Sequence, residues 1–136
     1  MKIFICASKH FYDRVKNIKN ELEIAGHIVT LSNSFDDPLA EEKIKVLGHK
    51  EYKKFKTEMF ELHNKKVAEN DGILVLNFEK NGFTNYIGGA VFMEMIKAFE
   101  LSKKIFIYNS VPDNILKDEI EGMDPIIING DLNLIK

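Results

Sequence analysis

A chain of 136 residues, 45% of them hydrophobic and ten of them Phe, can bury one substantial core and is short for two. A formal net charge of −2 argues against a nucleic-acid or other polyanionic partner, which would need a basic surface field. One cysteine leaves no internal disulfide, and no apolar run approaches the ~18 residues of a membrane span; with no secretory leader, a cytoplasmic protein is expected.

The four histidines, His10, His27, His49 and His63, are widely spaced and Cys6 has no cysteine partner, so no metal site is expected. Lys2 to Cys6 (KIFIC) reads as a first strand running into a loop, Ala7-Ser8-Lys9-His10. From Phe11 to Ala25, the apolar positions Phe11, Val15, Ile18 and Leu22 fall at helical spacing, and Gly26 stands where a left-handed C-cap belongs. His27 to Leu31 makes a second strand. Ser32 to Ser34 with Asp36-Asp37-Pro38 reads as loop, because Ser, Asn and Asp compete for backbone hydrogen bonds.

Glu41 to Glu69 is helical in composition but interrupted at Gly48. It divides into a short helix to about Leu47 and a longer one from about Tyr52, with Tyr52, Phe55, Met59, Phe60, Leu62 and Val67 facing inward. Ile73 to Leu76 and Ile105 to Tyr108 are continuous apolar runs, the pattern of strands covered on both faces of a parallel sheet. A helix from about Gly88 fills the gap between them, forming a right-handed βαβ unit. Asp113 to Glu121 is a last helix capped by Asp113 or Asn114. Pro125 to Asn129 is a fifth strand, and Gly130 to Lys136 a tail.

These elements predict one domain over residues 1–136. It is a three-layer, doubly wound α/β fold on a five-stranded parallel sheet with the flavodoxin-like order 2-1-3-4-5. In such folds ligands sit beyond the carboxyl ends of the strands, at the point where strand order reverses. The expected pocket is therefore walled by Cys6 to His10, Asn77 to Gly89, and Asn109 to Pro112. Ser8, Lys9, Asn77, Asn85, Tyr86, Gly88, Gly89 and Asn109 are the candidate ligand-binding residues.

Glu94 is the candidate for chemistry. At about 100° per residue it shares a helix side with Ile87, Val91, Ala98 and Leu101. A carboxylate in an apolar stripe is costly unless it is paired or faces a ligand. The plain alternative is a partly exposed acid paired with Lys97. Gly82, Gly88 and Gly89, with Asn81, Thr84, Asn85 and Tyr86, form a loop able to bring backbone N–H groups to a ligand at a helix start, although no dinucleotide or P-loop fingerprint is present. His63 projects toward the sheet from the long helix, either as a core-edge residue or as a proton carrier. Ser8 has no G-x-S-x-G elbow to make it a nucleophile.

With these residues in place, the chain resembles the nucleoside 2-deoxyribosyltransferase family and its 2′-deoxynucleoside 5′-monophosphate N-glycosidase relatives. Cys6-Ala7-Ser8 is similar to that family's first strand-end loop, and Asp71 in NDGILVLN to the acid before its third strand. Met93-Glu94-Met95-Ile96-Lys97-Ala98, running to Ser102-Lys103-Lys104-Ile105, resembles its signature helix, with Ile96 where the family has glycine. The resemblance implies that Glu94 attacks the anomeric carbon of a nucleoside or nucleotide and that Ser8 and the Gly88-Gly89 turn hold the 5′ oxygen or phosphate. His63 stands where the family usually carries an aspartate, and would transfer protons instead. The resemblance also implies a homodimer and no cofactor. The alternative is a non-catalytic nucleotide-binding or sensory module using the same cleft; an electron-transfer flavoprotein fits less well, lacking a Ser/Thr-rich phosphate cradle after the first strand.

Overall fold

The computed structural model describes all residues from Met1 to Lys136. Five parallel strands, β1 (Lys2–Cys6), β2 (Ile28–Thr30), β3 (Gly72–Val75), β4 (Lys104–Ile107) and β5 (Ile126–Ile127), form one sheet in the order β2-β1-β3-β4-β5. The helices are α1 (Tyr12–Ile24), α2 (Ala40–Leu47), α3 (His49–Glu69), α4 (Gly89–Glu100) and α5 (Lys117–Gly122). This is the expected three-layer, flavodoxin-like arrangement.

Alternation along the strands builds the three layers. Ile3 and Ile5 of β1, Leu74 of β3 and Phe106 of β4 join Val15, Ile18 and Leu22 of α1 in one core. Their neighbours Phe4, Cys6, Ile73, Val75, Ile105 and Ile107 point the other way, onto Val67, Val91, Met95, Ala98 and Ile120 of α3, α4 and α5. The register places Phe4 opposite Ile73 and Ile73 opposite Ile105, so apolar side chains form continuous rows across the sheet. Burial on both faces explains why β1 and β3 read as unbroken apolar runs. Gly72 has a structural reason: a Cβ there would meet the Lys104 carbonyl oxygen at 2.8 Å.

Several boundaries move for local reasons. α1 ends in a Schellman turn, with Gly26 at φ 97° and the His27 N–H donating to the Leu22 carbonyl at 3.0 Å, as Gly26 foretold. α3 begins at His49 rather than Tyr52, because a single left-handed residue, Gly48 at φ 126°, is enough to separate it from α2. At 21 residues it is roughly 31 Å long. Before Val67 none of its side chains is buried, so its first half overhangs the sheet. α5 begins only at Lys117, because Asn114 Oδ1 accepts the Leu116 N–H at 2.8 Å and holds the preceding residues in a turn. β5 shrinks to two residues, and Asn129, at φ 47°, turns the chain away.

The segment expected as a tail is instead packed. Leu132–Leu134 forms a turn of 3₁₀ helix, and Ile135, 2% exposed, completes the α1-side core. No helix is long and apolar enough to cross a membrane. On the outer side of α4, Met93, Ile96 and Phe99 are exposed while Val91 and Met95 belong to the core.

Because Ile135 fills core volume, Ile135→Ala should lower unfolding free energy by about 2–4 kcal/mol. Urea denaturation followed by circular dichroism measures it; a change below about 0.5 kcal/mol would mean that this end of the chain is dispensable.

Candidate active site

Three strand ends and three helices, α2, α3 and α4, border a cavity of about 600 Å³, a size suited to a small-molecule ligand. β1 supplies the first wall. Past Cys6 the chain turns through Ala7 and Ser8 into a 3₁₀ turn, Lys9–Phe11, whose His10 N–H approaches the Ser8 hydroxyl at 3.4 Å. Ala7, Ser8, Lys9 and His10 all face the cavity.

The loop after β3 supplies the second wall, organised differently from the glycine cradle expected of it. Asn81 and Gly82 both have positive φ, 51° and 83°, and Lys80 and Phe83 exchange backbone hydrogen bonds of 3.0 and 2.9 Å. This is a type I′ hairpin, the turn that an Asn-Gly pair favours. Its glycine lies at an exposed tip, outside the cavity. What the hairpin delivers is Lys80, a cavity residue that sequence reasoning missed, although the Asn-Gly signal one residue later could have placed it. Lys80 Nζ lies 3.5 Å from Ser8 Oγ and 4.8 Å from the centre of the Tyr86 ring. Tyr86, Gly88 and Gly89 line the cavity as expected. A Cβ on Gly88 would meet the Tyr86 hydroxyl at 3.1 Å, so the glycine lets the ring lie against the start of α4.

Glu94 lies on the inner face of α4 and is 4% exposed. It does not pair with Lys97, whose ammonium lies 3.5 Å from Glu100. Its Oε1 is instead 2.7 Å from His63 Nδ1, reaching across from α3. The two atoms are close without the in-line geometry of a hydrogen bond, and both His63 Nε2 and Glu94 Oε2 are buried with no protein partner. The imidazole also stands edge-on to Phe4, ring centres 6.1 Å apart. Both residues border the cavity. Beneath them, burial first and the neighbouring Glu94 carboxylate second push the Cys6 thiol well above its ordinary range.

The third wall comes from the far side of the switch point. The loop after β4 does not line the cavity; Ser32, Asn33 and Ser34 after β2 do, with Pro38, Ala40 and Glu41 leading into and along α2, and Phe55, Lys56 and Met59 on α3. Ser32 and Ser34 share a hydroxyl contact of 2.8 Å. Lys66 ties this loop to α3, donating to the Leu31 carbonyl at 2.7 Å and to Asn33 Oδ1. Burial pulls its ammonium below the ordinary range, against the opposing influence of Asp36 and Glu94.

Asn77 and Asn109, expected to bind ligand, bind each other. Asn77 is fully buried; its Nδ2 donates to the carbonyls of Asn109 and Ser110 at 3.1 and 2.9 Å, and its Oδ1 accepts the Asn109 N–H at 2.7 Å. The Asn109 side chain donates back to the Asn77 carbonyl at 3.2 Å. This clasp joins the chain beyond β3 to the chain beyond β4, satisfying backbone groups where the ladder ends. Asn85, at φ 54°, serves the loop's turn and does not line the cavity. Asp71 lies at the opposite, amino-terminal end of the strands, where its carboxylate accepts the Lys2 N–H at 2.7 Å.

The fold and site thus define a three-layer α/β protein with a ligand-sized cavity at the topological switch and a buried carboxylate–imidazole pair. No group of three or more His, Cys, Asp or Glu is placed to hold a metal ion. Comparison with protein-family models, with curated proteins and with solved structures finds no match.

Asn77→Ala should cost about 3 kcal/mol, since it strands buried backbone groups; thermal or urea unfolding measures this, and a loss under about 1 kcal/mol would show the clasp to be replaceable. The Cys6 thiol should react with a disulfide reagent at about pH 8 at least ~100-fold more slowly in the native protein than in urea. Comparable rates would mean that the cavity floor opens readily.

Proposed function

We propose that this cavity is the active site of an enzyme that hydrolyses or transfers at the N-glycosidic bond of a nucleoside or nucleotide. The observation that carries the reading is the Glu94–His63 pair. A carboxylate and an imidazole share the cavity wall 2.7 Å apart, and Glu94 Oε2 and both imidazole nitrogens are buried with no hydrogen-bond partner in the protein. Buried polar groups are normally satisfied, so Oε2 and Nε2 are suited to a ligand's groups. The resemblance of the Glu94 helix to that of the deoxyribosyltransferases supports the same assignment.

The chemistry follows from the two side chains. A Glu94 oxygen attacks the anomeric carbon as the bond to the base nitrogen breaks, and the electron pair leaves with the base. The His63 imidazolium gives that nitrogen a proton. The product is a glycosyl ester on Glu94, formed through an oxocarbenium-like transition state that the carboxylate's charge favours. Water, or a second base, then attacks the same carbon, its proton passes to His63, and the Glu94 carboxylate is released. One sugar–base bond is exchanged for one sugar–oxygen or sugar–base bond, and both residues return to their starting states.

At the β1–β3 side, Ser8 Oγ and Lys80 Nζ, 3.5 Å apart, would take the sugar's 5′ oxygen or phosphate. The first-turn N–H groups of α4 lack intrahelical acceptors and favour the same charge. The Tyr86 ring offers a stacking surface, and Lys9 stands at the cavity wall. The homodimer implied by the resemblance would bury the exposed Met93, Ile96 and Phe99 on α4.

The test is release of free base from 2′-deoxynucleosides and their 5′-monophosphates, followed by chromatography. Glu94→Gln should lower release at least ~1,000-fold and His63→Ala about 100-fold. Lys80→Ala should raise KM about tenfold for monophosphates while sparing the unphosphorylated nucleosides. Release that survives Glu94→Gln rejects the nucleophile; binding of nucleotides without release from any of them favours the binding-module alternative.

A further inference from the structure

Four of the five α-helices place at least one side chain in a core; α2 does not. Ala40–Leu47 packs against α3, itself an overhanging segment at that point, and Val46 and Leu47 are 86% and 65% exposed. Yet Pro38, Ala40 and Glu41 form part of the cavity wall. The chain enters α2 through the exposed residues Asp36 to Leu39 and leaves at Gly48, φ 126°. A helix with no fully buried side chain, entered through exposed residues and left at a glycine of positive φ, thus borders the site.

Polar contacts link it to the body of the protein. Lys9, from the loop after β1, donates its ammonium to Glu42 Oε1 and to the Pro38 carbonyl at 3.2 Å, and lies 4.0 Å from Glu41 Oε2. Glu41 Oε1 accepts the Tyr52 hydroxyl at 2.7 Å, which with Lys56, Lys45 and Lys9 holds its carboxyl below the ordinary range despite partial burial. The Tyr52 bond and the Lys56 ammonium, 3.6 Å from Glu41 Oε1, join α2 to α3; Lys9 ties α2 directly to the loop after β1. Solvent-exposed ion pairs of this kind are weak and screened by salt.

We propose that α2, with its lead-in from Asp37 to Leu39, is a lid over the cavity, and that Lys9 is its latch. The ammonium has three donors; Glu42 and Pro38 take two, and Lys9 also faces the cavity. An anionic ligand can therefore occupy the third without displacing the lid, so ligand binding and closure reinforce each other. A closed lid shields the cavity from water, which governs whether an intermediate there meets water or a second substrate. The lid stands on the packing of α2 alone and is independent of the reaction proposed for the cavity.

The test uses the ligand-free protein with spin labels at Val46→Cys on the lid and Ile24→Cys on α1, both exposed positions, while the buried Cys6 stays in place. Electron–electron double resonance should give a dominant latched distance and a minor second population. Lys9→Met should raise the minor population about threefold to tenfold, Glu42→Gln by less. About 0.5 M sodium chloride should raise it in the parent and not in Lys9→Met. One narrow distance in every sample, or a distribution that neither Lys9→Met nor salt changes, overturns the proposal.

Discussion

The approach of Glu94 to His63 at the cavity wall is the contact on which the candidate site depends. A carboxylate 4% exposed is stable only where charge or hydrogen bonds replace lost water. His63 Nδ1, 2.7 Å away, supplies one partner and leaves the second carboxylate oxygen unmatched. This incomplete pairing leaves a carboxylate oxygen at the cavity wall without a hydrogen-bond partner in the protein. The partner must come from another helix, because α4 offers Glu94 only apolar and outward-facing neighbours; hence the length and placement of α3 matter as much as the helix that bears the acid.

The sheet makes that meeting reproducible. Side chains from alternate positions of β1, β3 and β4 fill two separate cores, fixing α1 on one face and α3, α4 and α5 on the other. A one-residue slip in any central strand would exchange the two sets, so the register is strongly specified. Beyond the last ladder bonds the Asn77–Asn109 clasp holds β3 and β4 together, and Lys66 holds the loop after β2 against α3. These polar ties hold the rim of the cavity in place, the Lys66 tie through Asn33 in the cavity wall itself. They leave Ser8, Lys80, Tyr86 and the start of α4 facing the cavity.

What could be read in advance divides along physical lines. Strands and long helices were visible because burial on two faces or one leaves a pattern in the side chains themselves. Gly26 announced its Schellman turn, and Glu94 stood out as a charge within an apolar stripe. The asparagines misled, since a polar residue at a strand end looks the same whether it meets a ligand or a backbone carbonyl. Lys80 was overlooked because its approach to Ser8 depends on a hairpin folding back across the switch point. Ile135 was taken for part of a tail because Leu132, Leu134 and Ile135, three apolar residues in a seven-residue segment, are too short a run to fix a period.

The sequence by itself determined the parallel α/β order, the two-faced core strands and the identity of the buried acid, because each rests on local periodicity and on the cost of burying charge. The tertiary structure alone decided that His63 faces Glu94, that the third wall of the cavity comes from the loop after β2, α2 and α3 rather than from the loop after β4, and that Asn77 grips Asn109. Those relations join residues some 30 positions apart, at distances set by how the helices lie on the sheet. No spacing along the chain encodes them.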